Sequence, residues 1–288
     1  MKPNNEFQDL GLEFWSNIKL LNQRLGYHER KTKKNPDPDF VIPTIEQVKE
    51  TFAGEGLQFS KLIIEDEWTD YGQKLIRYLE YRSKVLKEKV EPNLMDADTV
   101  KKLFTKLKNN LKPRCPLPMN KQKGNKKGHA YFTGIINMLI EANINGNPCN
   151  YDPKELTAIT IDGFPVRTLS RRVDGAFPTV INPIAIWEIK EYYYTTTFGS
   201  RVADGVYETL LDGFEIREAE KNTGKKVKHY LMIDAHYTWW GMGKSYLCRI
   251  IDMLHMDFID EAIFGQEVVT ALPRLVKDWA KDLEKYSK

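Results

Sequence analysis

Apolar residues in the first part of the chain recur every three or four positions, which is the spacing of one face of an α-helix. The run consists of Phe7, Leu10, Phe14, Ile18, Leu21 and Leu25. Gly26 follows the run and is a typical helix stop signal. Thr44 and Gln47 have the spacing of a capping box, so the pattern predicts that a second helix begins there.

Two more helices are predicted before the pattern changes. Leucine and tyrosine side chains fall roughly on one side of a helix over residues 68–88. Asp98 is expected to cap a further helix that runs to Leu111, and Pro113 ends it because proline cannot continue a helix. Residues 1–112 are therefore predicted to form a mainly helical region.

From residue 129 onward, short apolar runs alternate with amphipathic stretches, a pattern typical of an α/β fold. The predicted elements are, in order, a helix over 131–143, strands over 156–166, 171–177 and 184–192, a helix over 200–220, a strand over 229–236, and helices over 244–255 and 267–286. Residues 129–288 are thus predicted to be one α/β domain, joined to the helical region by a basic linker over 113–128.

Two charged residues interrupt the third of these predicted strands, which is otherwise apolar. Glu188 and Lys190 lie two positions apart, so on a strand they point to the same face. Charged groups on a buried strand are costly unless they pair or bind a metal ion. Asp174 precedes the strand in a Val-Asp-Gly bend, and carboxylate oxygens suit Mg²⁺. An edge strand with a surface Glu–Lys pair is the alternative interpretation.

This arrangement resembles the PD-(D/E)XK nuclease superfamily. In that superfamily an Asp at a strand bend is followed by Glu-x-Lys on the next strand; here the Asp is Asp174 and the Glu-x-Lys begins at Glu188. Val173 stands where the namesake pattern has Pro. The predicted order of helices and strands over 129–260 is also similar to the superfamily core. The resemblance implies a restriction-endonuclease-like α/β core, with a central mixed β-sheet flanked by helices.

The resemblance also implies a function and the residues that perform it. The protein would be a Mg²⁺-dependent, sequence-specific endonuclease for double-stranded DNA, a type II restriction enzyme. Asp174, Glu188 and Ile189 would form the metal site. Lys190 would position or help deprotonate the attacking water. A palindromic target would favour a homodimer, with one active site for each DNA strand.

A third carboxylate is expected, because many members of the superfamily add an acid from the helix before the first strand. Glu141 lies at that place in the chain and is the expected third metal ligand. Asp162, in an Asp-Gly bend of its own, is the alternative. Sequence position leaves the choice between the two carboxylates open.

A run of positive charge overlaps the end of the helical region and the linker. It contains ten basic residues and no acidic one: Lys101, Lys102, Lys106, Lys108, Lys112, Arg114, Lys121, Lys123, Lys126 and Lys127. Binding to DNA phosphates requires such a run, although a solvated surface is the alternative explanation. The predicted DNA contacts are Lys121, Lys123, Lys126 and Lys127, together with Tyr193, Thr195 and Arg201, which follow the third strand.

A second motif partly matches the pattern of a phosphate-binding loop. The sequence GMGKS at residues 241–245 follows a predicted strand and opens a predicted helix, as a P-loop does. Thr238 occupies the position at which a P-loop has its first glycine, and two bulky tryptophans follow it. No nucleotide cofactor is therefore expected.

Composition is typical of a globular protein and not of a membrane-spanning or secreted one. The chain has 288 residues, of which 41% are hydrophobic and 29% charged, as in globular proteins. No apolar run approaches the roughly 20 residues needed to cross a bilayer, and the polar first ten residues do not form a secretory signal. The three cysteines have no paired or zinc-binding spacing. We expect reduced thiols, no membrane partner and a cytoplasmic location.

Two further functions fit the same sequence. A DNA repair nickase or structure-specific nuclease of the same superfamily would use the same residues and could act as a monomer. A DNA-binding protein with a degenerate core would bind DNA without cleaving it. Metal-dependent cleavage of plasmid DNA separates both nucleases from the non-catalytic protein.

Overall fold

The first part of the chain is mainly helical, as predicted. The computed structural model describes residues 1–120, 128–194 and 199–286. Up to residue 112 its elements are α1 (Leu12–Leu25), α2 (Ile45–Gly54), the short strands β1 (Ile63–Ile64) and β2 (Glu67–Trp68), α3 (Asp70–Val85) and α4 (Ala97–Leu111). A π turn continues α3 over Leu86–Val90. The helices enclose a hydrophobic core of their own, built from side chains of α1, α2 and α3.

The helix caps show where the sequence pattern was accurate. Thr44 and Gln47 form the predicted capping box at the start of α2. The predicted cap at Asp98 is wrong, because the side chain of Asp96 accepts the capping hydrogen bond and α4 begins at the next residue. Trp68 was expected to open the third helix but belongs to β2, where it pairs with the preceding strand.

The predicted strand over 156–166 is a β-hairpin instead. Its two strands are β3 (Ala158–Ile161) and β4 (Phe164–Thr168), which pair antiparallel and form a separate sheet. Asp162 and Gly163 connect them with φ angles of 50° and 83°. A two-residue hairpin turn of the type that requires positive φ at both positions explains why an Asp-Gly pair stands there.

A second, four-stranded sheet forms the centre of the α/β part. In sheet order its strands are β5 (Gly175–Phe177), β6 (Ala185–Glu191), β7 (Lys228–Asp234) and β8 (Glu261–Phe264). β5 is antiparallel to β6, whereas β6, β7 and β8 are parallel. A mixed sheet is thus confirmed. β8 was not predicted, and β5 is shorter than the predicted strand over 171–177.

Helices cover both faces of this sheet. They are α5 (Tyr131–Asn143), α6 (Ser200–Thr223), α7 (Lys244–His255) and α8 (Val268–Tyr286). Tyr230 and Met232 of β7 pack into a core with α5 and α8, whereas Leu231 and Ile233 pack into a core with α6 and α7. The alternation is that of a strand buried on both sides. The predicted bounds of α5 and α7 are confirmed.

A stack of two indole rings lies behind β6. The rings of Trp187 and Trp279 are parallel within 9°, with their centroids 5.5 Å apart. Trp187 also covers Gly175, so closely that a Cβ atom at Gly175 would lie 2.1 Å from the indole. Only glycine fits there, which explains the Val-Asp-Gly bend and fixes Asp174 beside β6.

Candidate functional site

Glu188 is the centre of the candidate site and has no exposed surface. Its Oε1 lies 3.0 Å from Nη1 of Arg171 and accepts a hydrogen bond from the Asp174 amide at 3.3 Å. Its Oε2 accepts from Nζ of Lys190 at 2.9 Å. The structure therefore brings together Asp174, Glu188 and Lys190, as the sequence predicted. The interpretation of Glu188 and Lys190 as a surface pair is wrong, since Lys190 is only 6% exposed.

Asp174 lies where β5 begins and β6 passes beside it. Because Gly175 pairs with Trp187, the preceding Asp174 stands next to Glu188. Oδ2 of Asp174 accepts a hydrogen bond from the amide of Ile189 at 2.7 Å. Burial, and then repulsion by Glu188, raises the pKa of Asp174 to about 6. The carboxylates of Asp174 and Glu188 thus repel each other, and a bound cation would offset the free energy of that repulsion.

An open cavity of about 370 Å³ borders Asp174. Its lining residues are Pro118, Met119, Asn120, Ala130, Thr133, Tyr151, Asp152, Asp174, Ile189, Glu191, Tyr192 and Arg201. The two sides of the predicted basic linker meet at this cavity, where the amide of Asn120 donates to the carbonyl of Gly128 at 2.8 Å. The cavity is large enough for a phosphate group with its first water molecules.

Helix α6 supplies two further carboxylates, both on the face turned to β6. Asp212 is fully buried, and its Oδ2 lies 2.6 Å from Nη1 of Arg171. Oε2 of Glu208 lies 3.3 Å from Nη2 of Arg171 and 3.4 Å from Nζ of Lys190. Gly205 makes this approach possible, because a Cβ atom there would lie 3.1 Å from the Lys190 stem.

These six side chains form what we call the β6 charge cluster: Arg171, Asp174, Glu188, Lys190, Glu208 and Asp212. Four carboxylates and two cations give it a formal charge of −2 when every group is ionised. Burial, and then repulsion by Glu188, raises the pKa of Asp212 to about 7 despite its contact with Arg171. The cluster therefore has more carboxyl groups than cations, and burial favours the protonated form of Asp212 near neutral pH.

Neighbouring charges favour the ionised forms of Glu188 and Lys190. Burial would raise the pKa of Glu188, but Lys190 and Arg171 outweigh it and hold that pKa below its usual value. Burial would lower the pKa of Lys190, but Glu188 and Asp174 outweigh it and raise that pKa above its usual value. Lys190 is thus an ammonium at neutral pH.

The donor set fits a hard divalent cation. Carboxylate oxygens of Asp174 and Glu188 lie beside the main chain of Ile189, and Mg²⁺ commonly takes only one or two protein carboxylates. Within the described ranges, no three His, Cys, Asp or Glu side chains are arranged as a ready metal-binding group. The carboxylates of Asp174 and Glu188 are the groups that could hold the ion, with water completing the coordination.

A carboxylate that is not among the predicted site residues lines the same cavity. Oε2 of Glu191 accepts from the Phe132 amide at 2.9 Å, and its Oε1 accepts from the Thr133 hydroxyl at 2.9 Å. Burial raises the pKa of Glu191 to about 7, and these hydrogen bonds offset part of that effect. Glu191 thus joins the first turn of α5 to the wall of the cavity that contains Asp174.

Neither candidate for the third carboxylate lies at the cavity. Glu141 accepts from the Arg114 amide, at 2.9 Å and 3.2 Å from its two oxygens. It follows Thr133 by eight residues, so it lies about 12 Å further along α5. Asp162 is exposed in the turn of the β3–β4 hairpin. Glu191, unlike these two residues, lines the cavity that Asp174 borders.

The predicted DNA contacts are only partly described. Lys121, Lys123, Lys126, Lys127 and Thr195 lie outside the described residues. Arg201 is exposed and lines the cavity. Tyr193 is partly buried, and its hydroxyl donates to Oδ2 of the buried Asp234. That hydrogen bond gives Tyr193 a role in the fold.

Exposed lysines of α4 are the described part of the basic run. Lys101, Lys102, Lys106 and Lys108 are exposed, and the helix carries one acid, Asp98. The opposite face packs on α5 through buried apolar side chains. The helix therefore presents a basic surface on the side turned to solvent.

The GMGKS sequence has a structural role. Nζ of Lys244 donates to the carbonyl of Pro38 at 2.8 Å and lies 2.5 Å from Oδ1 of Asp37. The ammonium also lies 4.3 Å from the centroid of the Trp240 ring, and Lys244 is buried. A P-loop lysine must reach a phosphate, and this one is held inside the protein.

Two features bear on the expected class of protein. Cys115, Cys149 and Cys248 are free thiols, which agrees with the expectation. Within the part of the chain that the structure describes, no helix combines the length and apolar character needed to cross a bilayer.

Some residues of the site left a signal in the sequence and others left none. Glu208 and Asp212 are one helical turn apart on a predicted amphipathic helix, so a shared face could have been inferred. Arg171 precedes the bend by three residues, and nothing in its spacing indicates that it turns toward Glu188. Glu191 follows Lys190 directly, within the predicted strand over 184–192, and its spacing indicates no role in the site.

Comparison with known proteins identifies two families, both of which are described as domains of unknown function. Residues 95–279 match the family described as Domain of unknown function (DUF7687), and residues 1–89 match a second one, Domain of unknown function (DUF7690). No curated protein matches the chain. No solved structure matches it. Because the match over residues 95–279 spans more than half of the chain, the protein belongs to the DUF7687 family.

Proposed function

We propose that this protein is a Mg²⁺-dependent endonuclease that hydrolyses phosphodiester bonds of double-stranded DNA. The observation that carries the proposal is the convergence of three side chains at one point of the sheet. The Asp174 amide donates to Glu188 at 3.3 Å, and Nζ of Lys190 lies 2.9 Å from the other oxygen of Glu188. Two carboxylates and an ammonium are the groups that the PD-(D/E)XK pattern requires.

The sheet supports the proposal at a second level. The strand that begins next to Asp174 runs antiparallel to β6, and the strand on the other side of β6 is parallel to it. A helix, α6, makes the crossover between the two parallel strands. α5 is followed by the β3–β4 hairpin, β5 and β6, and then by α6, β7 and α7. The hairpin takes the place of the first strand in the predicted helix–strands–helix–strand–helix order, and β8 is additional.

Each residue has a role that follows from its place. Asp174, Glu188 and the carbonyl of Ile189 would hold Mg²⁺ at the edge of the cavity. Bound there, the ion would polarise a phosphate oxygen and lower the pKa of a coordinated water. Lys190, kept protonated by its neighbours, would orient that water and offset negative charge that develops on the phosphate.

Substrate contacts would come from the basic surroundings of the cavity. Arg201 lines it, and the linker that carries Lys121, Lys123, Lys126 and Lys127 begins and ends beside it. The exposed lysines of α4 would extend the contact along the DNA backbone. A type II restriction enzyme that cuts a palindrome would work as a homodimer, with one cavity facing each strand.

Cleavage of plasmid and phage DNA by the purified protein in Mg²⁺ tests the proposal. Wild-type protein should give discrete bands, whereas Asp174→Asn, Glu188→Gln and Lys190→Met should give none, because these groups act as one unit. Asp162→Asn, in the exposed hairpin turn, is the matched control and should cut normally. Binding with Ca²⁺ in place of Mg²⁺ should persist in a gel-shift assay.

The pattern of products decides among the alternatives. Nicked circles without linear product would identify a nickase. DNA retention without cleavage, in every metal tested, would identify a DNA-binding protein. Full cleavage by Glu188→Gln or Lys190→Met would place the chemistry elsewhere in the protein and refute the assignment of the site.

A further inference from the structure

Both oxygens of Glu188 are already engaged by cationic or polar donors. Arg171 and the Asp174 amide meet Oε1, at 3.0 Å and 3.3 Å, and Lys190 meets Oε2 at 2.9 Å. Oε1 is the oxygen that accepts from the Asp174 amide. A cation that binds Glu188 on the side of Asp174 would therefore use the same oxygen that Arg171 contacts.

Arg171 has other partners that could hold it after a move. Its Nη1 lies 2.6 Å from the buried carboxylate of Asp212, and its Nη2 lies 3.3 Å from Glu208. The guanidinium is planar and carries five donors, so it can keep these two contacts while it releases a third. Its side chain is 23% exposed, which leaves room toward solvent.

We propose that Arg171 competes with the divalent cation for Glu188, and that cation binding releases the guanidinium from Glu188 while it keeps its contacts with Asp212 and Glu208. This inference rests on the proposed function, since it assumes that Glu188 is a metal ligand. Arg171 then serves as the counter-ion of the metal-free site. It is a positioning residue that sets the cation concentration at which the site fills.

The physical reason lies in the charge of the β6 charge cluster. Without a cation, Arg171 offsets the repulsion between Glu188 and its acidic neighbours, which lowers the cost of burying them. A cation that arrives must displace Arg171, so the affinity for the cation is reduced by the free energy of that contact. Removal of the guanidinium should therefore tighten cation binding.

The experiment measures Mn²⁺ binding to DNA-free protein, from the loss of the free-ion signal in electron paramagnetic resonance. Arg171→Gln should bind Mn²⁺ roughly tenfold or more tightly than the wild type. Glu188→Gln should lose the site. The matched control is Arg167→Gln: Arg167 pairs with Glu215 and Glu218 of the same helix α6 but has no contact with Glu188. Its affinity should equal that of the wild type.

Each result separates the inference from the proposed function. Glu188-dependent binding that is equal or weaker in Arg171→Gln overturns the competition and leaves the metal site intact. Equal tightening in Arg167→Gln also overturns it, because the effect would then be one of general charge. If neither the wild type nor Arg171→Gln shows Glu188-dependent binding, the proposed function fails, and the inference with it.

A second variant covers the case in which Arg171→Gln does not fold, which a melting curve would show. Arg171→Lys keeps the positive charge, but its single ammonium cannot contact Glu188 and Asp212 in the way that the guanidinium does. Mn²⁺ binding should again be tighter than in the wild type. Unchanged affinity in a folded Arg171→Lys protein would overturn the inference.

Discussion

Arg82 and Asp252 form an ion pair that is buried between α3 and α7, with Nη1 of Arg82 2.9 Å and 3.1 Å from the two carboxylate oxygens. Tyr78 donates to the same carboxylate at 2.6 Å, and Nη2 of Arg82 donates to Asn22 at 3.0 Å. Arg82 belongs to the region that matches one family, and Asp252 to the region that matches the other. The two regions therefore share a buried polar contact.

Arg82→Met should destabilise the protein strongly, by about 3–5 kcal/mol, because it leaves the Asp252 carboxylate buried without its cation. Chemical denaturation, followed by circular dichroism, measures the loss. Arg77→Met is the matched control on the same helix: Arg77 pairs with Glu6 at the surface, where ion pairs contribute only about 0–1 kcal/mol. Similar losses in both variants would mean that burial of the Arg82 pair does not matter.

Glu191→Gln should raise the Mg²⁺ concentration needed for half-maximal cleavage several-fold. The reason is that Glu191 lines the cavity of Asp174 and adds negative charge there once it is ionised, above its raised pKa of about 7. Glu141→Gln, the variant that the sequence alone would have favoured, should leave this concentration unchanged because Glu141 lies along α5 beside Arg114. Cleavage rates over a Mg²⁺ titration provide the measurement. The reverse order of effects would restore Glu141 as the third carboxylate.

Asp234→Asn should stabilise the protein above pH 7 and not below pH 5. Burial raises the pKa of Asp234 to about 7, against about 3.9 in an unfolded chain. As pH rises between these values, the unfolded chain releases its proton while the folded protein keeps it, so stability falls. Asparagine avoids this loss, which is at most about 4 kcal/mol. Its Oδ1 can still accept from the Met95 and Ala235 amides.

Melting temperatures of this variant and the wild type from pH 4 to pH 9 measure the difference. Other carboxyls with raised pKa values are common to both proteins, so subtraction isolates the contribution of Asp234. Asp162→Asn, in the exposed hairpin turn, should leave the profile of the wild type unchanged. A constant difference at every pH would show that Asp234 does not titrate in this range.

The basic residues should contribute to DNA binding through salt-dependent contacts. Changing Lys121, Lys123, Lys126 and Lys127 together to Gln should reduce the slope of log K against log salt by about 0.9 for each phosphate that is no longer neutralised. A second variant with Lys101, Lys102, Lys106 and Lys108 changed to Gln tests the exposed face of α4 in the same way. Filter binding at several salt concentrations gives both slopes. An unchanged slope would identify that set as a solvated surface.

The sequence was sufficient to predict a feature where the interacting residues lie close together in the chain or belong to a short motif. The capping box at Thr44 depends on four consecutive residues, and the bounds of α5 and α7 follow from apolar periodicity. The bend at Asp174 and the spacing to Lys190 placed three side chains of the site together. Their contact needs only one antiparallel pairing, between β5 and β6.

The features that the sequence did not predict depend on contacts between residues that lie far apart in the chain. β8 contains Glu261, a buried acid that looks out of place in a strand until Arg274 is seen 2.6 Å from it. Arg171 could not be assigned to the site, because its contacts with Glu188 and Asp212 form only after α6 packs on the sheet. Glu141 was expected as the third carboxylate, with Asp162 as the alternative, for a similar reason: the sequence does not show which end of α5 meets the cavity.

The parallel stack of Trp187 and Trp279 gives the protein an optical signal at its candidate site. Trp187 adjoins Glu188 in the chain, and the two side chains point to opposite faces of one strand. A small shift of this strand therefore changes the overlap of the two indoles. Ultraviolet fluorescence of the unlabelled protein should follow such a shift on the millisecond timescale, and Trp279→Phe would show which part of the emission arises from the stack.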